Sequence, residues 1–487
     1  MSHSFLPAEI WDARLYTGQW TRGALPAIAV IEPATGKQLG QLALADAAQV
    51  AGSAQAAKAA QASWFALPYD ERAAVFRKAA QLAEQHFDEI VEWVVRESGS
   101  TRAKAAFETS ISIKVLHESA ALPSRSQGEV LPSTPGRLSL ARRRPLGVIG
   151  VISPFNFPLY LAIRAVAPAL AVGNAVVLKP DPRTAVCGGL AIARLFELAG
   201  LPNGLLHVLP GGAEAGAALT SDANVAMIQF TGSTGAGRKV GEAAGKHLKK
   251  VSLELGGKNS LIVLDDADLD LALANATWGV YLHQGQICMS TGRLLVQRGI
   301  YDRFVERLVA KAKSLTVGDP ASQEVHLGPL INEQQRDHAY RVVLAAQQAG
   351  ARIEAGGSYE GLFFEPTVLS GVNRENPAFH EEIFGPVAVV VPFDSDEEAV
   401  ALANDTDYGL SAAVLSQNVG RALKLGEQLR VGLLHINDQT VNDEVINPFG
   451  GVGASGNGTS IGGAANFEEF TQWQWLTVKG DAPAYPL

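Results

Sequence analysis

Val225-Ala226-Met227-Ile228-Gln229-Phe230, followed by Thr231-Gly232-Ser233-Thr234-Gly235-Ala236-Gly237, reads as a strand, a glycine turn and the start of a helix. A strand that passes through such a turn into a helix N-terminus leaves backbone N–H groups unpaired at one point. Together with the helix dipole, those groups form a phosphate site. Val240 stands where the usual dinucleotide fingerprint has its last glycine, and no Gly-Lys-Ser/Thr closes the loop as in a Walker motif. The segment therefore predicts one strand–helix unit of a parallel sheet with a phosphate-binding tip.

The same pattern repeats outward from it. Gly147–Ile152, Ala175–Leu178, Leu205–Leu209 and Val251–Leu255 are short apolar runs bounded by glycine or proline, with helical stretches between them. Continuous apolar strands need cover on both faces, so the fold class is α/β with a doubly wound parallel sheet. A second alternating region contains 260–264, 293–297, 388–391, 412–415 and 432–436. Residues 50–65 and 70–95 carry apolar groups at helical spacing. Residues 128–140 read as a hairpin turning near Pro135-Gly136. Beyond the glycine-rich stretch Phe449–Gly463, the tail 467–478, with Trp473 and Trp475, reads as a strand that pairs outside its own domain. Pro145–Leu178 is the longest apolar stretch, but Arg164 and several prolines interrupt it, so it predicts strand, loop, helix and strand rather than a membrane span.

The chain has 487 residues, 47% apolar and 18% charged, with a net charge of -9. That length corresponds to about three domains, and the composition builds a large core. The acidic balance and the lack of long basic runs argue against nucleic acid or an anionic membrane as a partner. The basic cluster Arg142-Arg143-Arg144 reads as a solvated edge. Two cysteines, Cys187 and Cys288, make no disulfide framework, and the first 16 residues have no apolar signal core. A cytoplasmic protein is expected.

Cys288 lies in His283-Gln284-Gly285-Gln286-Ile287-Cys288, a polar turn in which backbone N–H groups can stabilise a thiolate. Taken alone it reads as a small buried apolar residue. Glu254, between Leu253 and Leu255, sits at a strand end where desolvation raises a carboxyl toward neutrality, as a general base requires. Taken alone it reads as an edge residue facing water. His380-Glu381-Glu382-Ile383-Phe384 lacks the second histidine of a zinc-protease helix, and Gly453-Ala454-Ser455-Gly456-Asn457 lacks the closing glycine of a serine-hydrolase elbow, so no metal site is expected.

Seven motifs in order carry a resemblance over roughly residues 46–475. They are Pro154-Phe155-Asn156-Phe157-Pro158, Leu178-Lys179-Pro180, Phe230-Thr231-Gly232-Ser233-Thr234, Leu253-Glu254-Leu255-Gly256-Gly257, Gly285-Gln286-Ile287-Cys288, Glu381-Glu382-Ile383-Phe384-Gly385-Pro386 and Pro448-Phe449-Gly450-Gly451. Together they resemble the aldehyde dehydrogenase superfamily. The resemblance implies that Cys288 attacks an aldehyde carbonyl, that the Asn156 amide and the Cys288 N–H hold the oxyanion, and that Glu254 activates the water that hydrolyses a thioester. It implies NAD or NADP as cofactor, with Ile152, Ser153, Pro154, Phe155, Lys179, Arg183, Gly232, Ser233, Gly237, Glu382 and Phe384 around it. Pro182 stands where many NAD-preferring relatives have glutamate. Arg183 next to it either pairs with a 2′-phosphate, so that NADP is accepted, or is merely solvated.

The likeness extends to benzaldehyde dehydrogenases through His283-Gln284-Gly285-Gln286 and His435-Ile436-Asn437-Asp438-Gln439. It implies an aromatic aldehyde as small-molecule substrate, a role in aromatic-compound breakdown, and a pocket containing Arg164, Leu282, His283 and Phe449. A succinate-semialdehyde enzyme is the rival, because Arg164 matches an arginine that such enzymes set near the substrate carboxylate. They commonly add a second arginine where this chain has Leu282, and Arg164 otherwise makes a structural pair. A CoA-acylating enzyme, an esterase side-activity and a non-catalytic relative are more distant alternatives. The implied division is a Rossmann-like cofactor domain (1–122 and 145–254), a catalytic domain (255–454) and a small β oligomerisation arm (123–144 and 465–487), giving a homodimer or homotetramer.

Overall fold

The structure, a computed structural model, describes residues 4–486; the extreme ends of the expected cofactor domain and arm, at 1–3 and 487, lie outside the described residues. Its first sheet runs in the order Lys250–Glu254, Val225–Thr231, Val148–Ile152, Ala175–Lys179, Leu206–Val208, Arg14–Tyr16, Trp20–Arg22. The first five strands are parallel and the last two antiparallel. Val148–Ile152 is buried along its whole length, and helix Pro158–Ala171 against it is buried on every side. That burial explains the unbroken apolar sequence from strand to helix. From Val148–Ile152 the chain adds two strands on one side and then returns to place Val225–Thr231 on the other. The carboxyl ends of these two neighbours are a topological switch point, where open α/β sheets bind ligands.

A second sheet has the order Arg352–Ala355, Thr367–Ser370, Val387–Phe393, Thr291–Gln297, Asn259–Val263, Ser411–Leu415, Leu433–Ile436. All but the first strand are parallel. A third sheet sets Arg137–Pro145 between Gly128–Val130 and the C-terminal strand Thr471–Lys479. Trp473 and Trp475 stand exposed on that last strand, and Arg143 stacks on Trp473 at 4.2 Å.

Three local readings change. The segment 70–95 is two helices, Tyr69–Gln85 and Phe87–Ser98, broken at His86. The second helix begins where Glu89 accepts the N–H groups of Phe5 and Leu6, which ties the N-terminal segment down. The tail begins with the short helix Ala465–Glu469, and pairing starts only at Thr471. Arg14–Tyr16 and Trp20–Arg22, too short to show a period, extend the first sheet. No helix of the described residues is long and apolar enough to cross a membrane.

Candidate active site

Cys288 sits on a loop with an unusual backbone. After helix Leu269–Tyr281, residues His283, Gln284 and Gly285 take φ of 49°, 55° and 69° in succession. Left-handed non-glycine residues cost of order 1–3 kcal/mol each and persist only where surroundings hold them. Here Gln284 Nε2 donates to the carbonyls of Gly99 (3.1 Å) and Pro329 (2.7 Å), and the Ile331 N–H donates to Gln286 Oε1 (3.0 Å). A Cβ on Gly285 would lie 2.2 Å from the Gly385 carbonyl oxygen, so only glycine fits. Asn259 Nδ2 donates to the Cys288 carbonyl at 2.8 Å and anchors the loop's far end.

Two cavities meet at this cysteine. A groove of about 780 Å³ crosses the switch point of the first sheet, and a narrow apolar chamber lies on the other side. Asn156, Leu161 and Cys288 line both. Burial pushes the Cys288 thiol up to about 12, and the Glu382, Glu254 and Asp443 carboxylates push the same way. The Cys288 N–H has no backbone acceptor among the described residues.

Asn156 precedes helix Pro158–Ala171 on a clamped loop. Lys104 Nζ donates to the Asn156 carbonyl at 2.8 Å and to Glu108 Oε2 at 2.5 Å. Glu108 Oε1 accepts the N–H groups of Leu159 (2.9 Å) and Tyr160 (3.1 Å) at the helix start. Lys104 and Glu108 went unread in the sequence; their only signal there is an opposite-charge pair four residues apart on a helical stretch.

Glu254 ends the strand Lys250–Glu254. It is 3% exposed, and neither carboxylate oxygen has a hydrogen-bond partner among the described residues. Burial drives its carboxyl well above the ordinary range, partly offset by the Arg164 guanidinium. Such an enclosed carboxylate has the proton affinity of a general base.

The groove suits a dinucleotide. Ile152, Ser153, Pro154 and Phe155 line it from one strand end, and Gly232 and Ser233 from the next. The Ser233 hydroxyl caps helix Thr234–Lys246, whose N-terminus opens onto the groove. Lys179 Nζ donates to the Gly211 carbonyl at 2.8 Å. Glu382 accepts the Gly257 N–H at 2.9 Å, and burial lifts its carboxyl to about 7. A Cβ on Gly256 would fall 2.3 Å from Glu382 Oε2, so the bare backbone there is what admits that carboxylate. Phe384, at φ 52°, meets Phe155 edge-on at 5.8 Å. Arg183 lies on the groove wall, stacked on Phe155 at 4.1 Å and donating from Nε and Nη2 to Asp181 at 2.8 and 2.7 Å. Although burial opposes it, this pairing holds the Asp181 carboxyl below its usual range.

Three expected site residues lie elsewhere. Gly237 does not line the groove; a Cβ there would sit 2.3 Å from Leu255, so its role is to let the helix pack on the chain after the strand. Arg164 lines neither cavity. It is buried, pairs with Asp443, donates to the Ile461 carbonyl at 3.1 Å and stacks on Phe449 at 4.4 Å. His283 lies behind the chamber wall, edge-on to Phe157 at 5.9 Å. Burial, reinforced by Lys104, keeps it neutral. Leu282 and Phe449 do line the chamber, joined by Tyr160, Trp278 and Asp443, which the sequence reading missed because their segments share no motif. Among the described residues no cluster of metal-ligating side chains occurs.

Known proteins resemble this chain over nearly its whole length. The model of the aldehyde dehydrogenase family matches residues 20–476. A vanillin dehydrogenase of an Amycolatopsis species is 54% identical over 99% of this chain and 100% of its own. A benzaldehyde dehydrogenase [NAD(+)] of Pseudomonas putida is 48% identical over 98% of both. The crystal structure of an E. coli NADP-dependent enzyme has a TM-score of 0.94 at 34% identity, covering 97% of this chain and 99% of that one. The chain belongs to the aldehyde dehydrogenase family and is an oxidoreductase acting on aldehydes.

Proposed function

We propose that the protein oxidises an aromatic aldehyde to its carboxylate through a thioester on Cys288, with NAD or NADP as cofactor. The observation that carries this is the position of Cys288 and Asn156, which line the dinucleotide groove and the apolar chamber at once. Sγ gives up its proton to water and, as thiolate, bonds to the aldehyde carbon while the C=O π pair moves to oxygen. The Asn156 amide and the Cys288 N–H donate to the oxyanion that forms. Lys179, Gly232, Ser233, Glu382 and Phe384 would hold a nicotinamide dinucleotide in the groove, which would supply the hydride acceptor. Loss of hydride from the thiohemiacetal carbon leaves the thioester. Glu254 then takes a proton from water, the hydroxide adds to the thioester carbon, and the C–S bond breaks to release thiolate and the carboxylic acid, which loses its proton to solvent as the carboxylate.

An aromatic substrate is favoured by the apolar chamber and by the two aromatic-aldehyde relatives. Succinate semialdehyde is disfavoured because Arg164 already has Asp443 as its partner. Arg183 on the groove wall supports acceptance of NADP beside NAD; a preference for NAD above about a hundredfold in kcat/KM refutes it. Residues 1–122 with 145–254 act as the cofactor domain, 255–454 as the catalytic domain, and 123–144 with 465–487 as the arm. The open edge and exposed tryptophans of Thr471–Lys479 support a homodimer or homotetramer. Two free cysteines fit a cytoplasmic location.

The test is cofactor reduction followed by absorbance with benzaldehyde, with and without CoA. Turnover independent of CoA, lost in Cys288→Ala, is expected. Turnover that survives Cys288→Ala excludes the mechanism.

A further inference from the structure

The chamber beside Cys288 is apolar on most sides, with Phe107, Ile111, Leu282 and Phe449 among its walls. One carboxylate breaks that surface. Asp443 lines the chamber and also an outer vestibule of about 690 Å³, so it stands at the neck between them. Cys288 and Asp443 line one chamber, so a substrate bonded to Cys288 shares its enclosure with Asp443.

The two oxygens of Asp443 differ. Oδ2 accepts the Tyr160 hydroxyl at 2.8 Å and pairs with the Arg164 guanidinium. Oδ1 accepts nothing among the described residues, yet it is not among the sealed, unpartnered buried atoms. With Oδ2 tethered, Oδ1 is an acceptor left without a donor among the described residues. Arg164, itself 2% exposed, cancels the carboxylate's charge, so the site does not select a cation. An ammonium group would lose its hydration between aromatic walls with no net charge to repay it. A neutral O–H on an aromatic ring would lose little and gain a hydrogen bond to a charged acceptor.

We propose that Asp443, positioned by Tyr160 and Arg164, is a specificity residue that accepts a hydrogen bond from a ring hydroxyl at the end of the substrate remote from the aldehyde. This rests on the aromatic-aldehyde reading and narrows it to hydroxylated benzaldehydes. A site built to receive an O–H discriminates against the analogue that cannot donate one.

The test compares kcat/KM for 4-hydroxybenzaldehyde, 4-methoxybenzaldehyde and benzaldehyde in the wild type and in Asp443→Asn. In the variant the amide oxygen stays with Tyr160 and Arg164, so the amide N–H₂ takes the place of Oδ1 and the open acceptor is lost. Wild-type preference for the hydroxy over the methoxy compound by about tenfold is expected, since that is the worth of one such hydrogen bond. The ratio should fall below about two in the variant. Because each ratio is internal to one protein, a general loss of activity does not blur it. Should Asp443→Asn fail to fold, Tyr160→Phe, which frees one partner of Oδ2 and leaves Arg164, is expected to lower the ratio. A wild-type ratio near one, with benzaldehyde itself turned over, overturns this inference alone. No turnover of any of the three overturns the aromatic reading and this inference with it.

Discussion

Lys104 Nζ donates to the backbone carbonyl of Asn156 at 2.8 Å, joining a fully buried ammonium to the loop that carries the oxyanion donor. The same ammonium pairs with Glu108, whose other oxygen caps helix Pro158–Ala171. Removing one partner of a buried pair leaves an uncompensated charge and costs about 3–5 kcal/mol. Lys104→Met is expected to lower stability by that amount in denaturant titration, and to lower kcat by loosening Asn156. A variant with wild-type stability and kcat would show that the pair does not brace the site.

Glu254 and Cys288 set the pH dependence. Both are raised by burial, the thiol to about 12. The reactive forms are carboxylate and thiolate, so each is more populated as pH rises. Both kcat/KM, through Cys288, and kcat, through Glu254, should therefore climb from slightly acid to alkaline pH; an optimum below neutrality would contradict it. Glu254→Gln cannot take the proton from water. It should lower kcat by about a hundredfold or more while leaving a burst of one reduced cofactor per site, with the acyl group visible on the chain by mass spectrometry.

Arg183 is held by Asp181 and stacked on Phe155. Its planar donors suit a 2′-phosphate. Arg183→Ala is expected to raise KM for NADP by about tenfold, a charge-assisted hydrogen bond's worth, and to change KM for NAD much less. Equal effects on both cofactors would reduce Arg183 to a structural role.

Gly285, at φ 69° and facing the Gly385 carbonyl, lies three residues before the nucleophile. Gly285→Ala adds a strained backbone and a clash. A loss of at least about 1–3 kcal/mol, with activity falling further than stability, is expected from thermal unfolding and steady-state rates. An unchanged melting temperature would disprove the close approach.

How much of this was legible beforehand depends on range along the chain. Buried parallel strands announce themselves by unbroken apolar runs, and the turn after Phe230 by its glycines, because both follow from backbone geometry over a few residues. Gly237 packs on Leu255 and does not line the groove; a glycine that packs and a glycine that meets a phosphate look the same in sequence. For Arg164 the choice between a pocket role and a structural pair stayed open because its partner, Asp443, is 279 residues away.

The sequence by itself determined the α/β class, the motif set and the residue types at 156, 254 and 288. Local propensity and spacing govern those over a turn or a strand length. Only the tertiary structure decided which charges neutralise each other, that Lys104 braces Asn156, and that two cavities share Cys288. Those facts arise where segments far apart in the chain are packed together, and the cost of burying a charge or a polar atom is met there by whatever partner the fold delivers.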